Sequence, residues 1–244
     1  MVIRNLIKLG AYVHARCFAT EPADGVSVLM YHRVVGDLPL ELDLPFEIFR
    51  LQMEWLSRSG VVIPYPDAVR QLVEGPASRG MRFVITFDDA YEDFHRLAYP
   101  VLREYGLTLF VPTRFIDEPT YSPLSRQVAG MATKIRPMSW AQLRDVADDP
   151  LVTIGSHTHS HSDLVSLSEE SITAEMSIAS DRFRSELGFV PKHFAYPRGI
   201  WDARVLKAIS PLCESACTTS GHIATSSNAP RYAIPRVPVR RSDG

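Results

Sequence analysis

The chain has 244 residues, a length that suits one α/β barrel domain. Its 22% charged and 45% hydrophobic residues are those of an ordinary globular protein, with no run of about 20 apolar residues to span a membrane. A net charge of −2 argues against a nucleic-acid partner, and three cysteines (Cys17, Cys213, Cys217) make neither an even disulfide framework nor zinc-finger spacing.

Residues 1–24 read as an N-terminal amphipathic helix or extension, with Ile3, Leu6, Ile7, Leu9 and Val13 largely on one side. Lys8, His14 and Arg16 interrupt its apolar stretch, so no clear signal peptide develops. A helix packed on the domain is the plain reading, while Arg4, Lys8 and Arg16 keep peripheral membrane contact open. The expected location is cytoplasmic or peripheral to a membrane.

Residues 25–244 read as a single domain in which strands and helices alternate. Val26–Tyr31 is the first strand, Phe46–Ser59 a helix stopped by Gly60, and Met81–Phe87 a second strand. Tyr91–Tyr105 reads as a helix, Leu107–Val111 as a strand, and the Pro/Ser/Thr-rich segment Asp117–Pro137 as a long loop. Ser139 caps a short helix before a strand at Leu151–Gly155. Ser166 and Glu169 have the spacing of a capping box ahead of a helix from about Ser168 to Leu187, with Gly188 as its stop. His193–Tyr196, Glu214–Thr219 and Tyr232–Val239 are further strands, with a helix over Trp201–Ile209. Such β-then-α repetition predicts a parallel sheet wrapped by helices and closed into a distorted (β/α) barrel.

Polar motifs sit where the strands end: His32 after the first, Asp88-Asp89 after the second, His157 to His161 after the fourth, and Pro197-Arg198-Gly199 after the next. In a parallel barrel these ends share one rim. Adjacent acids after an apolar strand can merely cap the next helix. Three histidines at alternate positions all share one face if extended. If the segment curls after Gly155, His157 and His161 can meet one ion while His159 points elsewhere. A carboxylate with two imidazoles suits a catalytic divalent metal, and a second carboxylate can then serve as a base.

Thr86-Phe87-Asp88-Asp89, Gly155-Ser156-His157-Thr158-His159-Ser160-His161 and Phe194-Ala195-Tyr196-Pro197-Arg198-Gly199 together resemble the three leading motifs of the polysaccharide deacetylases, the NodB-homology carbohydrate esterases. The resemblance implies a distorted (β/α) barrel enzyme that removes N-acetyl groups from amino sugars. It implies Asp89, His157 and His161 as metal ligands, Asp88 as general base and the Arg198 backbone N–H as oxyanion donor, with Tyr196 and Pro197 as substrate contacts. The implied metal is Zn²⁺, with Co²⁺, Ni²⁺ or Fe²⁺ as alternatives, and the implied partner is an N-acetylated glycan.

Two departures stand out. Ala195 occupies the position where many members carry an arginine that braces the catalytic aspartate; Arg236 is the candidate substitute, against the plainer reading of a surface arginine. No C-terminal histidine matches the family's acid. Val28-Leu29-Met30-Tyr31-His32-Arg33-Val34 is similar to the opening of the branch acting on poly-N-acetylglucosamine exopolysaccharides, which makes His32 the candidate acid. Exopolysaccharide, capsule or a related envelope glycan is the implied substrate. Chitooligosaccharide or peptidoglycan deacetylation, a different metal-assisted hydrolysis, and a non-catalytic glycan-binding relative are the alternatives.

Overall fold

A computed structural model describes residues 24–59, 61–75, 80–124 and 135–243. The expected amphipathic helix over 1–24 lies outside the described residues apart from Asp24, as does Gly60. Among the described residues no helix is long and apolar enough to cross a membrane.

Seven parallel strands form one sheet in the order β6-β5-β4-β3-β2-β1-β7. They are β1 (Gly25–Tyr31), β2 (Met81–Asp88), β3 (Leu107–Val111), β4 (Val152–Ser156), β5 (His193–Ala195), β6 (Ser215–Cys217) and β7 (Val237–Pro238). Helices α1 (Phe46–Ser59), α2 (Tyr65–Glu74), α3 (Tyr99–Leu102), α4 (Thr113–Asp117), α5 (Trp140–Ala147), α6 (Glu169–Leu187) and α7 (Ala203–Ile209) connect them. The central strands are buried on both faces; every residue of β3 and the last six of β2 are buried, as expected of a sheet packed inside and out.

The sheet curls until its edges nearly meet. Cys217 at the end of β6 bridges Ile234 in parallel, and three residues later Val237 pairs with Leu29 of β1. The expected continuous strand over Tyr232–Val239 is therefore divided between the two edges. Pro235 and Pro238 have no N–H to offer a ladder, which keeps each pairing short.

Local chemistry accounts for most element ends. Ser139 forms a capping box with Gln142 at the start of α5: the Gln142 N–H donates to Ser139 Oγ, and the Ser139 N–H to Gln142 Oε1. At α6 the cap is Ser168, which accepts from the Ser171 N–H, rather than the expected Ser166–Glu169 box. Ser166 instead turns back onto the Asp163 carbonyl within a 3₁₀ turn. The helix expected over Tyr91–Tyr105 is distorted: a π turn at Phe94–Ala98 runs into the single turn of α3, which carries Pro100. A proline there cannot donate back along the helix, and the wider turn accommodates the missing bond. α2 was not anticipated, although Pro66 near its start, Asp67 in its first turn and a buried Tyr65, Ala68, Val69, Leu72 stripe are ordinary helix signals.

Register carries the polar strand ends to one rim. Tyr31 pairs with Phe87, which brings His32 level with Asp88. Asp88 pairs with Phe110, Val111 with Ser156, Ser156 with Phe194, and Ala195 with Cys217. Gly155 makes this pitch possible, because a Cβ there would strike the Phe110 ring.

Candidate active site

Asp88, Asp89, His157, His161, His32 and Arg198 line one cleft of about 250 Å³, joined by Met30, Leu42, Pro123, Leu124, Thr219, Pro238 and Arg240. The backbone turns sharply at this rim. Asp89, Ala90, Thr158, His161 and Arg198 all have φ between 52° and 73°, and among the described residues they are the only non-glycine residues with positive φ. Such conformations cost about 1–3 kcal/mol each and persist only where the surroundings impose them. Two of the five, Asp89 and His161, belong to the group whose ligand atoms converge here with those of His157.

Ligand atoms of Asp89, His157 and His161 all lie within 4.8 Å of one another. Asp89 Oδ1 is 3.8 Å from His157 Nε2 and 3.6 Å from His161 Nε2, and the two imidazole rings meet edge to face. Asp89 Oδ2 accepts from the Tyr91 hydroxyl at 2.8 Å, whereas buried Oδ1 has no hydrogen-bond partner among the described residues. His157 Nδ1 lies 2.7 Å from the Ala195 carbonyl. A carbonyl only accepts, so Nδ1 carries the proton and Nε2 turns its lone pair toward Asp89. Burial pushes both imidazoles down to about 4, which keeps them neutral at physiological pH. A neutral nitrogen pair facing an orphaned, buried carboxylate oxygen is a donor set that fits a divalent cation.

His159 does not join this triangle. Its Nδ1 contacts Thr113 Oγ1 at 2.8 Å on the far side of the turn.

Asp88 sits beside the triangle, with Oδ2 3.8 Å from His157 Nε2. Arg236 grips it from below: Nη1 donates to Oδ1 at 2.7 Å and Nη2 to Oδ2 at 2.8 Å. The guanidinium is wholly buried and lies over the Phe110 ring, so the surface reading of Arg236 is corrected. Burial alone would raise the Asp88 pKa, but the Arg236 charge and the adjacent His157 outweigh it and bring it down to about 2. The side chain missing at Ala195 is thus matched by one arriving from the barrel-closing segment.

His32 faces the same cleft from the end of β1, its buried Nδ1 without a hydrogen-bond partner among the described residues. The loop that follows is anchored by Asp93, whose Oδ2 accepts from the Val34 N–H at 2.8 Å and whose Oδ1 takes Arg33 Nε at 3.4 Å. Burial raises Asp93 to about 6 despite the Val34 bond and the Arg33 charge.

Arg198 enters the cleft on a 3₁₀ turn, and its side chain pairs with Asp163. Tyr196 and Pro197 do not reach the cleft. Tyr196 is buried beneath it, its hydroxyl on the Tyr232 carbonyl and its ring stacked against Trp201, and Pro197 is buried at the start of the turn. The apolar body of Tyr196 takes a place in the core, and neither it nor Pro197 is among the residues lining the cleft.

Sequence reasoning missed Tyr91, which orients Asp89, and the apolar wall of Met30, Leu42, Pro123 and Leu124. Tyr91 follows the aspartate pair closely enough to have been suspected; the wall comes from loops with no pattern of their own.

A family model described as polysaccharide deacetylase matches residues 77–212, a span that contains Asp88 to Arg198 but neither His32 nor Arg236. The Bacillus subtilis (strain 168) protein YxkH, whose name places it with the polysaccharide deacetylases, is 26% identical over 223 residues, covering 90% of this chain and 73% of that protein. The poly-beta-1,6-N-acetyl-D-glucosamine N-deacetylase of Escherichia coli (strain K12) is 26% identical over 150 residues, and the match covers 56% of this chain but only 21% of that enzyme. In fold the chain is similar to the Streptococcus pyogenes deacetylase PplD, solved in complex with acetate, with a TM-score of 0.74, 21% identity, and coverage of 90% and 94% of the two chains. A curled parallel barrel with its aspartates and histidines gathered at one rim, and a family match across more than half its length, make this chain a member of the polysaccharide deacetylase family, carbohydrate N-deacetylases.

Proposed function

We propose that this protein is a metal-dependent hydrolase that removes N-acetyl groups from an exopolysaccharide, capsule or related envelope glycan. The observation that carries the reading is the triangle of Asp89, His157 and His161 with Asp88 at its edge. The first three residues would hold the ion, and the mixed N/O set favours Zn²⁺, with Co²⁺, Ni²⁺ or Fe²⁺ able to use the same ligands. When bound, a divalent ion supplies Lewis acidity toward an acetamide carbonyl and toward water.

The chain's own residues supply the rest. Asp88, kept ionised by Arg236, accepts the proton of the attacking water. A carboxylate this weakly basic takes that proton only as the new C–O bond forms. The Arg198 backbone N–H is assigned to the developing oxyanion, a role that asks nothing of its side chain. His32 donates a proton to the departing amine, leaving a free amino sugar and acetate. The glycan class is supported by the name of the Escherichia coli relative, which acts on poly-β-1,6-N-acetyl-D-glucosamine, and by the His32 strand that resembles that branch. Acetate release from defined N-acetylated oligosaccharides, with chelator and then with each metal restored, tests the reading. Release that persists undiminished in chelator would remove the metal from it.

A further inference from the structure

The turn that carries the Arg198 N–H is held in a costly backbone conformation from outside. Arg198 (φ 56°, ψ 10°) and Gly199 (φ 70°) are left-handed in succession. The Gly199 and Ile200 N–H groups fold back onto the Tyr196 and Pro197 carbonyls at 2.8 and 3.2 Å. The carbonyls of the two left-handed residues are gripped by the chain just beyond β6. The Thr218 hydroxyl donates to the Gly199 carbonyl at 2.7 Å, and the Thr219 hydroxyl to the Arg198 carbonyl at 3.1 Å. The approach is close enough that a Cβ on Gly199 would run into Thr219. Peptide planes are rigid, so only the φ and ψ of Arg198 and Gly199 separate the N–H from these carbonyls. Anchoring the carbonyls therefore sets how the N–H is aimed.

Thr218 also reaches the other half of the site. Its N–H donates to the Ile234 carbonyl at 2.9 Å, and its own carbonyl accepts from Arg236 Nε at 3.3 Å. Arg236 in turn grips both oxygens of Asp88. One unbroken series of hydrogen bonds thus runs from Asp88 through Arg236 and Thr218 to Gly199. Its two ends serve the same instant of the reaction. Asp88 takes the proton of the attacking water, while the Arg198 N–H meets the negative charge that the attack creates. Both must be in place beforehand for either to count.

We propose that Thr218, which does not line the cleft, is a positioning residue that sets the oxyanion turn in register with the general base. Its hydroxyl holds the turn and its carbonyl holds the arginine. The proposal rests on the deacetylase reading above and adds to it a residue outside the cleft.

Thr218→Val sets a methyl where the hydroxyl donated, leaving the Gly199 carbonyl unpaired and pushed aside, whereas Thr218→Ser keeps the donor. Acetate release from an N-acetylglucosamine oligomer is measured as kcat and KM, with metal content and melting temperature alongside. Thr218→Val should lower kcat by about ten- to a hundredfold with KM changed by less than about threefold, since the lost aim is felt in the transition state. Thr218→Ser should return kcat to within about threefold of wild type. Gly199→Ala drives the same turn off Thr219 and should reproduce the kcat loss. A merely structural threonine would lower the melting temperature and leave kcat per folded molecule intact. Wild-type kcat in Thr218→Val, a loss that serine does not restore, or a loss carried by KM alone would overturn the proposal while leaving the deacetylase reading intact. Should Thr218→Val not fold, Gly199→Ala decides, and wild-type kcat there would overturn it equally. No acetate from the wild type would refute the deacetylase reading itself, and this role with it.

Discussion

Arg236 and Asp88 form a charged pair with almost no contact with solvent, 0% and 3% exposed, and its removal should be severe. Pairing brings the carboxylate from 3.8 to about 2 even though burial opposes it. At about 1.4 kcal/mol per pKa unit, the net stabilisation of the ionised form is on the order of 2–3 kcal/mol. Because the folded pKa is the lower one, this contribution is present above pH 3.8 and is lost as pH falls through about 2. Arg236→Met does more than cancel it, because Asp88 is then buried and ionised with no cation beside it. Breaking such a pair costs about 3–5 kcal/mol. Asp88→Asn strands the guanidinium in the same way. The double variant strands neither charge, so it should be more stable than the sum of the two losses predicts, by about 2 kcal/mol or more. Urea unfolding at pH 7 in chelator measures all four proteins without metal binding masking the differences. A cost below about 1 kcal/mol for Arg236→Met, or strict additivity, would refute the bracing role.

Metal analysis of purified protein should find one divalent ion per chain, strongly reduced in His157→Ala and retained in His159→Ala, whose imidazole is engaged by Thr113. Metal loss equal in the two variants would place the ion elsewhere. His32→Gln should lower kcat by about 10²–10⁴-fold with metal content and melting temperature unchanged, and by less on substrates with better leaving groups. Near-normal turnover would end its assignment as the acid. Asp93 gives a stability signal of opposite sign to that of Asp88. Its folded pKa is raised to about 6, so its contribution is full below 3.8 and disappears as pH rises through 6. Wild type should lose about 3 kcal/mol relative to Asp93→Asn across that interval; parallel pH–stability curves would contradict it.

The strands could be read because burial on both faces leaves near-continuous apolar runs such as Phe83 to Phe87, and their polar ends could be read because a parallel barrel allows only one rim for them. What escaped was pairing across distance. Arg236 is 148 positions from Asp88, and nothing near it in sequence distinguishes a buried guanidinium from a surface one. The orientation of Tyr196 depends on distance in the same way: a motif gives a residue's position on the backbone, while the packing of Tyr232 and Trp201 around it decides which way the ring faces. The Ser168 cap and the π turn are local contests between neighbouring serines and around Pro100, settled by small energies that pattern alone does not resolve.

The segment that joins the two edges of the sheet has a bearing on how the protein is made. Residues 231–239 hydrogen-bond to β6 through Ala216 and Thr218 and to β1 through Met30, and Arg236 lies between these contacts. A chain emerging from the ribosome can assemble six strands, both aspartates and all three rim histidines before that segment exists. Asp88 would then be buried without its cation. Shutting the cylinder and arming the carboxylate are therefore one event, reached only once residues 231–239 have joined the strands made before them.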